Sequence, residues 1–232
     1  IKFRCHPRTH EIIRQKLVQN PNQPRLMAIL VKHSPDDRDI DEMRDRLVVE
    51  YSSQLTAEDW EAIADSYWIK WDYGAAGKAY AKAPRTSRNL YRAARGYHIA
   101  NSKTTAKQFY KQLIREYPNA VDTGLGLRRL AMIVDKKEGL NYLDLAIQKF
   151  PHQAPQALLE KANLLDKLQS PKSASQARQI VLNNHKHSES AAEYRWKVAS
   201  KKAKAGDLVG AWQWAQPIVL SNPDSPIAPK AG

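Results

Sequence analysis

Small and aromatic residues are spaced through Thr86–Pro118 in a way that leaves few folds open. Leu90, Ala93, Ala94 and Tyr97 fall at helical spacing and make one apolar face. Ala106, Phe109, Tyr110 and Leu113 make a second, and Pro118 closes it. Small residues let two helices approach closely, and aromatics wedge them apart. A pair this short cannot bury its apolar surface alone, so neighbours of the same kind must cover it.

The flanking sequence supplies such neighbours at periods of roughly 30 to 36 residues. Five paired-helix units are expected over 56–84, 86–118, 120–151, 153–186 and 188–223. In the first, Thr56 is an N-cap with Asp59 completing a capping box. Trp60, Ile63, Ala64 and Tyr67 form its first face, and Ala76, Tyr80 and Ala83 its second. The third carries Leu127, Leu130 and Ala131, then Leu143 and Ala146. In the fourth, Pro171 stands just inside a helix start, where its missing N–H costs nothing. The fifth turns at Gly206-Asp207. Residues 1–55 read as three helices without the repeat, and 224–232 as the start of a truncated next unit. No capping helix is visible, so the natural protein is expected to continue.

The pattern resembles the tetratricopeptide motif, W-x2-L-G-x2-Y…A-x3-F…P, with Leu90 in the tryptophan position and Ala94 in the glycine position. That resemblance implies an all-α fold, a right-handed α-superhelix of helix pairs whose first helices line a concave wall. Residues of those helices turned away from their partners are Trp68, Tyr91, Arg95, His98, Arg128 and Trp196. Aromatic and cationic groups together suit sugar rings and carboxylates. The competing reading is that Tyr91 and Trp196 pack between units. Trp212 and Trp214 lie two apart and cannot share a helix face, so at least one points to solvent or to a missing neighbour.

The formal net charge is +13 and the isoelectric point near 9.7. A basic surface attracts polyanions, but the charge reads as spread along the chain rather than run in blocks. That argues for a solvated helical surface over nucleic acid. Cys5 is the single cysteine, so no internal disulfide framework is possible. No apolar run approaches the roughly 18 residues that span a bilayer. No leader peptide is visible, though a chain beginning at Ile1 says little on that point.

No active site is legible. Glu189-Ser190 sits between two units without glycines to build a pocket. His185 and His187 lack a third ligand at metal spacing, and Cys5, His6 and His10 form only a loose terminal cluster. No phosphate-binding glycine loop exists, and no cofactor is expected.

Four stretches carry a more particular resemblance: 83–92 (APRTSRNLYR), 170–178 (SPKSASQAR), 191–196 (AAEYRW) and 206–217 (GDLVGAWQWAQP). Together they resemble the helical N-terminal region of soluble lytic transglycosylases of the cyanobacterial type. The resemblance implies a superhelical arm before a lysozyme-like domain that cleaves peptidoglycan to 1,6-anhydromuramic ends. In that family one glutamate acts as acid and base within a Glu-Ser motif followed by Gly-Leu-Met-Gln. Glu189-Ser190 has no such continuation. The catalytic domain would lie beyond Gly232, and this chain would be a non-catalytic arm in the periplasm or cell envelope, positioning the glycan strand or the catalytic domain. A stand-alone tetratricopeptide scaffold for a protein partner remains the alternative. RNA binding, with Tyr91 and Trp196 as stacking platforms, is a third.

Overall fold

A computed structural model describes residues 7–35 and 40–231. The expected Cys5–His6–His10 cluster and the helix stop at Asp36-Asp37 therefore fall partly outside the described residues. The described residues form fourteen α-helices and one 3-10 turn, with no strand. Helices α1 (Pro7–Gln19), α2 (Pro24–His33) and α3 (Ile40–Glu50) come first, followed by the 3-10 turn Ser52–Gln54. The pairs are then α4 (Ala57–Ile69) with α5 (Tyr73–Tyr80), α6 (Ser87–Ile99) with α7 (Lys103–Glu116), and α8 (Val121–Ala131) with α9 (Lys136–Lys149). After these come α10 (Ala154–Lys167) with α11 (Pro171–Asn184), α12 (Glu189–Lys204) with α13 (Leu208–Ser221), and the short α14 (Ala228–Ala231). The chain divides into two compact units, residues 1–126 and 127–232, with the boundary inside α8.

Local chemistry explains where the pairs begin and turn. Thr56 and Asp59 exchange the reciprocal bonds of a capping box at the start of α4. Thr86, Asp135, Ser188 and Asp207 each accept a backbone N–H at the start of α6, α9, α12 and α13. Four of the turns within pairs share one device. Trp71, Asn101, Gln169 and Gly206 all adopt positive φ, between 57° and 83°. Directly after each, the N–H of Asp72, Ser102, Ser170 or Asp207 reaches back to the carbonyl of Tyr67, Tyr97, Leu165 or Lys202. This is the Schellman closure, which uses up carbonyls the helix end would otherwise leave open. Only Gly206 announces it in sequence. The pair α8–α9 turns without a positive φ.

In the first unit the core runs from Ile13, Leu17, Met27, Leu30 and Val31 through Ile40 and Leu47 to Trp60, Ile63, Ala76 and Tyr80. Helices α1, α2 and α3 thus share a core with the first helix pair. Helices α5 and α6 come into backbone contact at Gly77 and Gly96. A Cβ on Gly96 would stand 2.5 Å from the Tyr73 carbonyl oxygen and 2.7 Å from Gly77 Cα. Ala94, in the motif's glycine position, is buried, but the contact that demands a glycine lies two residues further on.

In the second unit, Leu158, Ala162, Ala174, Ala177, Val181 and Ala191 form one core cluster. Ala192, Ala199, Ala215, Ile218, Ala228 and Ala231 form the next, so α14 seats its alanines against α12 and α13. Gly139 lets α9 press on α8, since a Cβ there would lie 2.7 Å from the Ala131 carbonyl oxygen.

Candidate functional site: a groove between first helices

The charge is less even than the sequence reading held. From Tyr73 to Arg115 the chain holds Lys and Arg but no Asp or Glu, whereas the preceding stretch 36–72 is dominated by acids. Much of this charge is spent inside the first unit. Asp65 on α4 accepts from Arg88 and Arg92 at 2.6 Å each and from the Tyr80 hydroxyl at 2.5 Å, and Glu61 accepts from Arg88 at 2.8 Å. Arg92 also stands 5.2 Å from the Trp68 ring. Burial, and then the bond to Asp65, pushes the Tyr80 hydroxyl well above the usual tyrosine range. One helix earlier, buried Arg44 bonds Asp41 at 2.8 Å and Asp45 at 3.0 Å, with its guanidinium 4.0 Å over the Tyr67 ring. Burial and the Asp45 carboxylate push the Tyr67 hydroxyl up to about 12.

The six residues expected on a ligand-binding wall divide accordingly. Trp68 is packed, edge-on to Tyr73 at 4.9 Å and to Tyr80 at 6.0 Å. Tyr91, Arg95 and His98 share one stripe of α6. Tyr91 and His98 lean on Tyr110 at 6.4 and 6.3 Å, and half-exposed Arg95 has no ion pair among the described residues. Arg128 in the second unit is buried and closed by a two-pronged bond to Glu160, at 3.0 and 2.6 Å, with Gln153 accepting at 2.6 Å. It ties α8 to α10. Trp196 packs partly buried on the α12–α14 cluster. Trp214 joins that cluster while Trp212 is 55% exposed, which resolves the pair two residues apart. The histidines near Lys186 also have a structural setting: His187 Nδ1 lies 2.8 Å from the Ser221 carbonyl oxygen. Among the described residues no three His, Cys, Asp or Glu side chains converge as metal ligands.

Sequence reasoning missed a groove of about 690 Å³ in the second unit. Gln156, Leu159 and Asn163 of α10 form one side. Glu193, Tyr194, Lys197 and Lys201 of α12 form the other, and Arg178 of α11 reaches in. The Ser190 hydroxyl donates to Gln156 Oε1 at 3.0 Å and fixes the helices at one end. The Tyr194 ring is braced edge-on by Trp214 at 6.1 Å. Two of the cations are already committed. Arg178 is bonded to Asp166, which raises the guanidinium's pKa, and Lys202 holds Asp207 at 2.7 Å. Lys197 and Lys201 are exposed, one turn apart, with no ion pair among the described residues. The groove therefore offers two ammonium groups without an ion pair, a braced aromatic face and the Asn163 amide, while the Gln156 amide is taken up by Ser190 and Glu160. The helical signal was present, since Gln156 and Asn163 are seven apart and Glu193, Lys197 and Lys201 four apart. What the sequence lacked was any indication that these two stripes face one another.

No protein-family model matches the chain, and no curated protein does. Solved structures do. The C-terminal part of a TPR repeat-containing protein from Cytophaga hutchinsonii aligns over 96% of this chain and 92% of its own, with TM-score 0.59 and 14% identity. Yeast Tom70 aligns over 97% of this chain with TM-score 0.54 and 16% identity. A human IFIT1 dimer with PPP-AAAA aligns over 97%, with TM-score 0.51 and 14% identity. The fold is the tetratricopeptide-repeat fold. The chain spans little more than half the length of the Tom70 and IFIT1 chains, 56% and 57%. At these identities the likeness concerns the fold alone.

Proposed function

We propose that the chain is a non-catalytic helix-pair scaffold that holds a carboxylate-bearing partner in the groove between α10 and α12. The observation that carries this is the pairing of Lys197 and Lys201, which have no ion pair among the described residues, with the braced Tyr194 ring and the Asn163 amide. Ammonium groups at a half-open site attract carboxylates, and an aromatic face takes the apolar side of a sugar or a side chain. The groove lies in the second unit, within the fourth and fifth of the helix pairs expected over 56–223. On the resemblance to soluble lytic transglycosylases, the partner is the glycan strand of peptidoglycan with its acidic stem peptides. The chain is then the holding arm of such an enzyme in the periplasm or cell envelope, and cleavage belongs to a separate domain. A protein partner with an acidic segment is the second reading, favoured by the same two lysines.

Titrating the chain at low salt with soluble peptidoglycan fragments that carry stem peptides, and with an acidic peptide of equal charge, separates the readings. Tighter binding to the fragments, weakened about tenfold by Tyr194→Ala or Lys197→Gln, supports the glycan arm. Tighter binding to the peptide with the same sensitivity moves the assignment to a protein scaffold. Affinity for either that ignores both substitutions removes the groove from the account.

A further inference from the structure

The groove between α10 and α12 holds an acid as well as its two lysines. Of the two carboxylates that line it, Asp207 is held by Lys202 at 2.7 Å. The other, Glu193, is exposed and has no ion pair among the described residues. The neighbouring acids are taken, Asp166 by Arg178 and Glu160 by Arg128. Three uncommitted charges therefore stand on one wall, Glu193, Lys197 and Lys201, at successive steps of four residues along α12. Each step rises about 6 Å, so the acid and the farther lysine lie about 12 Å apart along the groove.

Helix electrostatics do not account for Glu193. It lies in the second turn of α12, past the first turn on which the helix dipole acts. It also precedes Lys197 by four residues, the order that favours a bridge within a helix, yet no ion pair joins the two among the described residues. Both side chains are left to the groove. The opposite wall changes character in step. Counting from the bond between Ser190 and Gln156, three residues along each helix reach Glu193 and Leu159, and seven reach Lys197 and Asn163. All four line the groove. One end is thus anionic with an apolar wall beside the Tyr194 ring, and the other is cationic with an amide opposite.

We infer, on the footing of the groove reading above, that Glu193 sets the specificity of this site: the groove takes a dipolar peptide segment, with carboxylates on Lys197 and Lys201 and an ammonium or guanidinium group on Glu193. A segment that is acidic throughout would bring a like charge against Glu193, and such a repulsive element is a common source of discrimination. The test uses three end-capped peptides that share two Glu residues and differ at one position three residues away, which holds Lys, Gln or Glu. Binding is measured by calorimetry at about 0.15 M salt, where the attraction of the basic chain for anions is screened beyond about 8 Å. The parent chain should bind the Lys peptide about threefold tighter than the Gln peptide, and the Glu peptide weakest. Glu193→Gln should abolish that preference and Glu193→Lys should reverse it. Glu193 is exposed, and an unchanged thermal melt verifies the fold of both variants. A parent chain that binds all three peptides alike overturns the inference. So does a preference that survives Glu193→Gln, and if Lys197→Gln still weakens all three peptides the groove reading stands without it. Binding of none of the peptides, or binding indifferent to Lys197→Gln, removes the groove reading and this inference together.

Discussion

Backbone contact makes single atoms decisive at two places. Gly96 lies directly against Gly77 and the Tyr73 carbonyl, so neither α5 nor α6 can give way without parting the pair. Gly96→Ala is expected to cost about 1–3 kcal/mol by overpacking. Gly74→Ala is the control, because its Cβ would meet Ala100 Cβ and Asp72 Oδ1 at ordinary distances of 3.5 and 3.7 Å and would add helix propensity. Urea unfolding of the two variants should move the midpoint in opposite directions. The second place is the Arg128–Glu160 pair, with side chains 10% and 12% exposed. Removing one partner strands a buried charge, so Arg128→Met or Glu160→Gln alone should lose about 3–5 kcal/mol. Arg128→Met combined with Glu160→Leu should recover much of that loss. A double variant as unstable as the sum of the singles would mean that the pair is not the bond joining α8 to α10.

Between residue and repeat stands the helix pair, closed by its turn and by its fit to the next helix. Three of the four left-handed turn positions hold a residue with a Cβ, at some cost in backbone energy. Gln169→Gly should therefore stabilise the α10–α11 turn by about 0.5–1 kcal/mol, less the entropy glycine adds to the unfolded chain. A lowered melting temperature would contradict the Schellman reading. The α3–α4 contact titrates. The Tyr67 hydroxyl rises from about 10 unfolded to about 12 folded, through burial and the bond to Asp45. The folded state thus holds its proton more tightly. The stabilisation is complete below pH 10 and is lost as pH rises from there through 12. Tyr67→Phe should flatten that alkaline loss, read as the denaturant midpoint between pH 9 and 11.5.

Across the whole molecule, stability is a sum of neighbour contacts rather than one shared core, as in repeat arrays generally. Gly96 and Arg128 act within different compact units and share no partner. Their substitutions should add to within about 0.5 kcal/mol. A larger coupling energy in the double variant would show that the two sites are energetically linked rather than independent.

The sequence alone was enough for the helix pairs, because a period near 34 residues with alanines and aromatics at helical spacing can be buried only by stacking. Caps such as Thr56–Asp59 and the proline at Pro171 were equally legible, since their partners lie within one turn. It could not show which polar side chains stay free. Arg128 read as a wall cation until Glu160, a helix pair away, was seen to close it. Lys197 and Lys201 read as surface charge until Tyr194 and α10 were placed around them. The glycine contact at Gly96 and the left-handed turns at Trp71, Asn101 and Gln169 were hidden for the same reason. Periodicity tells a residue which face it occupies, whereas its chemistry depends on what the neighbouring helix brings opposite, and that register is set only by tertiary packing.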